Sequence, residues 1–287
     1  MMRTRSFSYW LFLTPVLVSL FLVVLVPLAL GIFYSFTDWN GIQTTAFVGF
    51  QNYIDIFKEE EFLDALWFTV KFSIVSIILI NVIGLALALI VTSRIKSSNF
   101  LRTIFFMPNL IGGLILGFIW QFIFTKAFDA VGVALGYEGL QGWLSTTSTG
   151  FWGLVILMSW QKAGYIMIIY ISYLEGVPEE LTEAAEIDGA NYFQKLRAII
   201  FPLVAPAFTV SMFLTLSNTF KLYDQNLSLT AGGPYNSTQM VAMEIFQTAF
   251  KESDMAYGSA KAVIFFLIVA SISLTQVYIS KKREVEL

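Results

Sequence analysis

Six long apolar runs alternate with polar segments along the chain. They cover about residues 9–36, 65–92, 103–124, 150–174, 203–222 and 259–279. Each is long enough to cross about 30 Å of hydrocarbon as an α-helix. Because lipid offers no hydrogen-bond partners to the backbone, helices are the spanning form that such runs adopt. The pattern therefore predicts an all-α membrane protein with six transmembrane helices.

The composition supports a membrane protein and excludes several kinds of chemistry. Of the 287 residues, 57 % are hydrophobic and only 13 % are charged. The chain has no Cys and no His, which excludes disulfides, thiol nucleophiles, zinc–cysteine sites and histidine acid–base catalysis. A net charge of −3 gives no indication of a nucleic-acid partner.

The first apolar run has two interpretations. Arg3 and Arg5 precede it, as basic residues precede the core of a secretory signal peptide. However, the run is longer than a typical signal core, contains Pro15 and Pro27, and ends without an Ala-x-Ala-like cleavage site. We therefore expect it to be retained as the first transmembrane helix.

Basic residues are unevenly distributed between the two sets of loops, which predicts the orientation. Ten of the seventeen lie in the N-terminus, the link after the second run, the segment after the fourth run and the C-terminus: Arg3, Arg5, Arg94, Lys96, Arg102, Lys195, Arg197, Lys281, Lys282 and Arg283. The opposite loops hold chiefly Lys58, Lys126 and Lys251. Both termini and the segment after the fourth run are therefore predicted to be cytoplasmic.

That cytoplasmic segment, residues 175–202, reads as two short soluble helices. Pro178 suits a first helical turn, and Gly189 suits a stop because glycine readily adopts the left-handed conformation. Asn191 suits the cap of a second helix, and Pro202 is expected to end that helix before the fifth apolar run. The segment is thus predicted to be a helix–Gly–helix hairpin beside the membrane.

The same segment carries a motif, E-A-A-x-x-D-G-A, that resembles the EAA loop of ABC importer permeases, most closely in their carbohydrate-uptake branch. Its residues here are Glu183, Ala184, Ala185, Asp188, Gly189 and Ala190. The resemblance implies a coupling helix that docks in a cleft of an ATPase subunit. It implies that Glu183 faces basic groups of the ATPase and that Gly189 permits the turn. The alternative is a plain cytoplasmic connector whose glutamates are a solvated face.

A second motif follows the fifth run, L-T-A-G-G-P with a threonine four residues later. It resembles the L-T-x-G-G-P of the first of two permeases in maltose-like and multiple-sugar systems, although Ala231 stands where many relatives have a glycine. The resemblance implies an external turn at which a loaded binding protein docks, formed by Thr230, Gly232, Gly233 and Pro234. The alternative is an ordinary surface turn.

Polar and aromatic residues in or near the apolar runs are candidates for a substrate path, because polar groups in a membrane are costly. These are Asn81, Trp160, Lys162, Tyr165, Asn218, Lys221, Tyr223 and Asp224. Amide, ammonium and hydroxyl donors beside aromatic walls would suit a sugar. The alternatives are hydrogen bonds between helices and, for Lys221, snorkelling towards the membrane surface.

The chain contains no G-x-x-x-x-G-K-[ST] phosphate loop, G-x-S-x-G elbow or dinucleotide fingerprint. We therefore expect a transport subunit that is not an enzyme and binds no cofactor, with ATP and Mg²⁺ held by partner subunits. The resemblance implies as partners a second homologous permease, two cytoplasmic ABC ATPases, an extracellular sugar-binding protein and membrane lipid.

The resemblance implies a type I ABC importer permease fold in the cytoplasmic membrane of a bacterium or archaeon. The predicted parts are cytoplasmic tails at 1–8 and 281–287, one transmembrane domain at 9–280, a family core at about 70–280, the EAA loop at 175–202 and an external loop at 223–258. Import of a sugar is the predicted function. The alternatives are an ABC permease for glycerol phosphate, polyamine or another small solute, and a self-contained secondary transporter or channel.

Overall fold

The computed structural model describes residues 2–43, 46–93 and 96–282, with side chains described from Tyr9 onward. The regular structure of these residues is helical, apart from one isolated antiparallel bridge between Thr37 and Phe47. This confirms the predicted all-α class. Arg94 and Arg283, two of the basic residues behind the predicted orientation, lie outside the described residues, as do the side chains of Arg3 and Arg5.

Among the described residues, five helices are long and apolar enough to cross a membrane: Tyr9–Tyr34, Glu60–Thr92, Gly113–Leu135, Thr147–Leu174 and Met255–Lys281. A bent pair of helices, Tyr192–Leu203 and Ala205–Phe220, brings the number of spans to six when the pair is counted as a single span. We number the six spans in chain order, so the bent pair is the fifth span. The prediction of six spans is confirmed on this count.

Shorter elements connect the spans. The short α-helices are Gln51–Ile56, Ser98–Phe106, Glu179–Ile187, Asp224–Leu229 and Val241–Phe246, and the 3₁₀ turns are Met107–Leu110 and Glu138–Leu140. Single π-helical stretches occur at Phe21–Leu25, Ile123–Ala127, Leu196–Ile200 and Gln247–Lys251.

The third apolar run, predicted as one helix over about 103–124, is broken in the structure. Helix Ser98–Phe106 gives way to the 3₁₀ turn around Pro108, Ile111 is extended at ψ 128°, and a new helix begins at Gly113. Pro108 removes a backbone donor, and the adjacent glycines offer little resistance to unwinding. The new helix continues to Leu135, beyond the predicted end of the third run at about residue 124.

The fifth span bends by 66° at Val204, two residues beyond the predicted break at Pro202. Pro202 is next to the last residue of the piece Tyr192–Leu203, and Pro206 lies in the first turn of the piece Ala205–Phe220. A proline inside a helix removes a backbone donor and favours a break, whereas a first-turn proline is tolerated because its missing N–H has no partner within the helix. The two prolines together favour a break between them, at Val204.

Contacts divide the chain into two compact units. The first comprises Met1–Phe62 and Glu244–Leu267, and the second comprises Leu63–Met243 and Ile268–Leu287. The second unit is built around the fourth span, whose apolar window is 67 % buried, whereas the apolar window of the first span is 0 % buried. The predicted limits of the transmembrane domain stay predictions.

The first unit contains a buried charged residue that no sequence pattern predicted. Lys261 is fully buried, and its Nζ lies 2.8 Å from Glu59 Oε1, 2.6 Å from Glu244 Oε1 and 2.8 Å from Thr248 Oγ1. The hydroxyl of Tyr257 donates to the second oxygen of Glu59 at 2.8 Å. A buried ammonium stays charged only when it is paired and hydrogen-bonded in this way.

Candidate functional site

The hairpin predicted from the sequence is present at residues 175–202. Its first helix is Glu179–Ile187; Pro178 precedes the helix as its N-cap rather than lying inside the first turn. Gly189 has a φ of +82° and ends the helix, as predicted. The amide of Ala190 donates to the carbonyl of Ala185 at 2.9 Å, which satisfies a carbonyl at the helix end.

The second half of the hairpin begins at Asn191, which caps the next helix as predicted. The amide of Gln194 donates to Asn191 Oδ1 at 3.0 Å, and the amide of Asn191 donates to Gln194 Oε1 at 2.7 Å. The ammonium of Lys195 pairs with the carboxylate of Glu186 across the turn at Gly189. The hydrogen bond and the charge of Lys195 lower the pKa of Glu186.

The motif residues of the hairpin present a free surface in this chain. Glu183, Ala184, Asp188 and Gly189 are exposed, while Ala185 and Ala190 are half-buried. Two apolar side chains are also strongly exposed: Ile187 at 87 % and Phe193 at 78 %. Exposed apolar groups among charged ones are typical of a surface that another protein covers.

A polar pocket of about 240 Å³ lies between the fourth and fifth spans of the second unit. It is lined by Met158, Lys162, Ser217, Asn218, Lys221, Leu222, Tyr223, Asp224 and Gln225. Five predicted substrate-path residues therefore meet here: Lys162, Asn218, Lys221, Tyr223 and Asp224. Two ammonium groups, one carboxylate, amides and a phenol face one small volume.

The break before the third span borders this pocket through three side chains. Lys162 Nζ donates to Asn109 Oδ1 at 2.9 Å, Gln161 Nε2 donates to the carbonyl of Ile111 at 3.1 Å, and Gln225 Nε2 donates to Gln161 Oε1 at 2.8 Å. Irregular backbone at membrane depth is tolerated only where it is buried in protein or lines a cavity. The missed residues are Asn109, Gln161 and Gln225, and the signal was a Pro-Asn pair before two glycines.

Helix Asp224–Leu229 reaches the pocket because it packs directly on two glycines of the third span. A Cβ atom on Gly117 would lie 1.8 Å from Ser228 Oγ, and one on Gly113 would lie 2.8 Å from the Cβ of Asp224. Only a residue without a side chain permits this approach. The close contact places Asp224 and Gln225 beside the unwound segment.

Three predicted substrate-path residues lie elsewhere. Asn81 donates to Thr215 Oγ1 at 3.1 Å and accepts from the hydroxyl of Tyr170 at 2.9 Å, in a buried network that links the second, fourth and fifth spans. Trp160 lines a separate apolar cleft of about 710 Å³, and Tyr165 packs against the hydrophobic core. The structure does not bring these three residues to the polar pocket.

The second motif forms a turn held by its own threonines and one asparagine. The hydroxyl of Thr238 donates to the carbonyl of Gly233 at 2.7 Å, and Asn226 Nδ2 donates to the carbonyl of Thr238 at 2.9 Å. Gly232 is buried at φ +81°. Ala231 has a φ of +49°, a conformation that glycine adopts more readily, at the position where this motif departs from its relatives.

Comparison with known proteins identifies the family of the chain. Residues 80–285 match the family described as binding-protein-dependent transport system inner membrane component. The probable starch degradation products transport system permease protein AmyD of Thermoanaerobacterium thermosulfurigenes is 58 % identical over 97 % of this chain and 96 % of its own length. The multiple sugar-binding transport system permease protein MsmF of Streptococcus mutans is 32 % identical over 96 % of each chain.

A solved structure shares the fold. A chain in the crystal structure of a bacterial ABC transporter involved in the import of the acidic polysaccharide alginate has a TM-score of 0.85 and 19 % identity, and the match covers 97 % of this chain and 96 % of that one. This supports the predicted importer permease fold. The family match and the 58 % identity together establish that the chain belongs to the binding-protein-dependent transport system inner membrane components.

Proposed function

We propose that this chain is a transmembrane subunit of an ATP-driven importer that moves an oligosaccharide or related sugar, delivered by an external binding protein. The observation that carries the proposal is the polar pocket beside the unwound segment of residues 107–112. Broken helices mark substrate sites in many transporters because their freed backbone groups are satisfied around a cavity.

The chemistry of the pocket suits carbohydrate. The pocket offers ammonium, amide and phenol groups from Lys162, Asn218, Lys221 and Tyr223, and acceptors from Asp224 and Gln225. A sugar presents many hydroxyls, each of which donates and accepts, so a mixed set of groups satisfies it better than one kind alone. The relatives described above carry names for starch products and multiple sugars.

Energy for transport enters through the hairpin. In this proposal Glu183, Ala184, Ala185, Asp188, Gly189 and Ala190 form the surface on an ATPase subunit. ATP and Mg²⁺ bind to two such ATPases, because this sequence has no phosphate loop. ATPase closure moves the hairpin and alternates the access of the cavity.

The assembly completes the orientation predicted from the basic residues. Both termini and the hairpin face the cytoplasm of a bacterium or archaeon, and the turn at Thr230, Gly232, Gly233 and Pro234 faces outward. A second homologous permease completes the membrane part. The unburied apolar face of the first span is available for lipid and for that partner.

A second candidate is an importer of a small anionic solute such as glycerol phosphate. The observation that favours it is the pair of lysines, Lys162 and Lys221, on one pocket with a single carboxylate at Asp224. An anion would gain from two ammonium groups in a partly dehydrated site. Replacing both lysines by methionine therefore separates the candidates, because it would abolish uptake of an anion and only weaken uptake of a neutral sugar.

Reconstitution of the complete transporter in liposomes tests the proposal. We expect ATP-dependent uptake of a labelled maltooligosaccharide or related sugar that needs the binding protein, and reduced uptake by Asn218→Ala. Exposed Gln43→Ala, far from the pocket in sequence, is the control and should transport normally. Sugar transport by the isolated chain, without ATPases, would instead support a secondary transporter and overturn the proposal.

A further inference from the structure

The external turn divides into a buried scaffold and an exposed tip. Gly232 and Thr238 are buried, and Gly233 and Pro234 are half-buried. Tyr235 and Asn236, which follow them, are exposed, and the side chain of Tyr235 has a relative exposure of 102 %. The motif residues therefore hold the turn, and the two residues after the motif form its outer surface.

The tip adopts an unusual backbone conformation. Tyr235 has a φ of +51° and Asn236 a φ of +58°. Asparagine tolerates this left-handed region, but a bulky residue such as tyrosine is rarely found there. Strain of this kind persists only when the surrounding structure enforces it, and it is concentrated at functional sites.

Hydrogen bonds on both sides of the tip enforce this backbone conformation. Hydrogen bonds run from the amide of Ser237 to the carbonyl of Pro234 at 3.0 Å and from the amide of Gln239 to the carbonyl of Asn236 at 3.0 Å. The hydroxyl of Thr147, at the start of the fourth span, donates to the hydroxyl of Ser237 at 2.7 Å. Both sides of the tip are thus fixed before any partner binds.

We infer that Tyr235, together with Asn236, is the anchor residue through which this chain binds the external binding protein. This inference rests on the proposed function, which supplies the partner. A tyrosine ring offers a large contact area and one hydroxyl at a low cost in conformational entropy, and tyrosine is enriched among the residues that dominate binding energy. The complementary feature on the partner is an apolar pocket with a hydrogen-bond acceptor at its rim.

The test uses the complete transporter in liposomes and the concentration of sugar-loaded binding protein that half-maximally stimulates ATP hydrolysis. Tyr235→Asn removes the ring and keeps a residue that accepts the left-handed backbone. We expect the half-maximal concentration to rise about tenfold or more, the loss typical of an interface anchor, with the maximal rate unchanged. Tyr235→Phe keeps the ring and should recover most of the affinity.

Tyr137→Ala is the matched control, because Tyr137 is an exposed tyrosine in the segment between the third and fourth spans. Its half-maximal concentration should match that of the unmodified transporter. A photo-crosslinking amino acid at position 235 should also join this chain to the binding protein.

Two outcomes separate this inference from the proposed function. If the binding protein stimulates the unmodified transporter and Tyr235→Asn equally, and no crosslink forms at position 235, the anchor is wrong while the importer stands. If the unmodified transporter shows no response to any sugar-loaded binding protein, the proposed function itself fails.

Discussion

The Nζ atom of Lys261 lies 2.6 Å from Oε1 of Glu244, and both side chains are buried. The same ammonium also pairs with Glu59, so one lysine of the sixth span links Glu59, directly before the second span, to Glu244 in helix Val241–Phe246. Removing the lysine would leave two carboxylates close together without their cation. Loss of one partner from a buried ion pair is far more destabilising than loss of an exposed pair.

We therefore predict that Lys261→Met lowers the free energy of unfolding by about 3–5 kcal/mol. The matched control is Lys58→Met, which breaks an exposed pair with Asp55 at 3.1 Å and should lower the free energy of unfolding far less. Thermal or denaturant unfolding of the purified protein in detergent, followed by tryptophan fluorescence, measures both. Equal losses of unfolding free energy for the two variants would show that the buried cluster stabilises the fold no more than an exposed ion pair does.

The double variant Lys261→Met with Glu244→Gln sharpens this prediction. It removes one negative charge together with the positive one, so it should be more stable than Lys261→Met alone. If the second substitution instead adds its full separate cost, the two residues are not coupled and the described geometry does not determine their energetics.

The close contact between two helices at Gly164 gives a second prediction. A Cβ atom on Gly164 would lie 1.7 Å from the carbonyl oxygen of Phe105, so the fourth span and helix Ser98–Phe106 touch backbone to backbone. Gly164→Ala must push these helices apart, and we expect a loss of about 1–3 kcal/mol or more. Since Lys162, two residues before Gly164, bonds Asn109 in the 3₁₀ turn that directly follows helix Ser98–Phe106, uptake should fall as well.

Gly31→Ala is the control for this crossing, because a Cβ atom there meets nothing within 4 Å in the described chain. Alanine favours a helix over glycine by about 0.5–1 kcal/mol, so this variant should be neutral or more stable. Unfolding in detergent and uptake in liposomes are measured for both variants. A stable and active Gly164→Ala would contradict the close crossing.

The sequence and the structure differ most where contacts are distant. The lengths of the apolar runs, the stop at Gly189 and the cap at Asn191 follow from local rules of hydropathy and backbone conformation, and they were predictable. Lys261 was not, because its partners Glu59 and Glu244 lie 202 and 17 residues away along the chain. No local pattern pairs such residues.

The candidate site was only partly predictable for the same reason. Five of its polar residues were identified because charge and amide groups are conspicuous in apolar runs. Asn109 was missed because its importance comes from the unwound backbone around it, and Pro108 alone does not distinguish a kink from a break. Asn81 was a candidate by the same rule, but its partners Tyr170 and Thr215 are on neighbouring helices, so its polarity is satisfied between spans.

The ion pair across the hairpin predicts a dependence on pH. Lys195 lowers the pKa of Glu186 in the folded hairpin relative to its ordinary value. The pair therefore stabilises the hairpin above the ordinary glutamate pKa of about 4.3, and this stabilisation is lost as the pH falls through the lower folded value. The amides of residues 179–200 should thus exchange their hydrogens more slowly in the native protein than in Glu186→Gln at pH 6.

At a pH below the folded pKa of Glu186, the two proteins should exchange alike, because the native carboxyl is then protonated as well. Each comparison is made at one pH, so the intrinsic exchange rate cancels. Glu180→Gln, which removes another exposed glutamate of the same helix, is the control and should behave as the native protein does at both values. A difference that persists unchanged at low pH would exclude the ion pair as its cause.

The turn of the hairpin gives the last prediction. Gly189 has a φ of +82°, where a Cβ atom is strained whatever space surrounds it, and no atom of the described residues lies within 4 Å of that Cβ position. Gly189→Ala should therefore disturb the backbone alone, at a cost of about 1 kcal/mol or more, and tilt the two short helices away from a shared partner. Gly189→Asn should recover much of the loss because asparagine accepts the left-handed conformation.

Gly176→Ala supplies the comparison within the same loop, because that glycine has no positive φ and its added Cβ would make only ordinary contacts from 3.4 Å. Association of the ATPases with the solubilised complex and sugar-stimulated ATP hydrolysis are measured for the three variants. We expect Gly189→Ala to weaken both, Gly189→Asn to be intermediate and Gly176→Ala to be normal. An alanine variant with full association would show that the hairpin does not carry the contact with the ATPase.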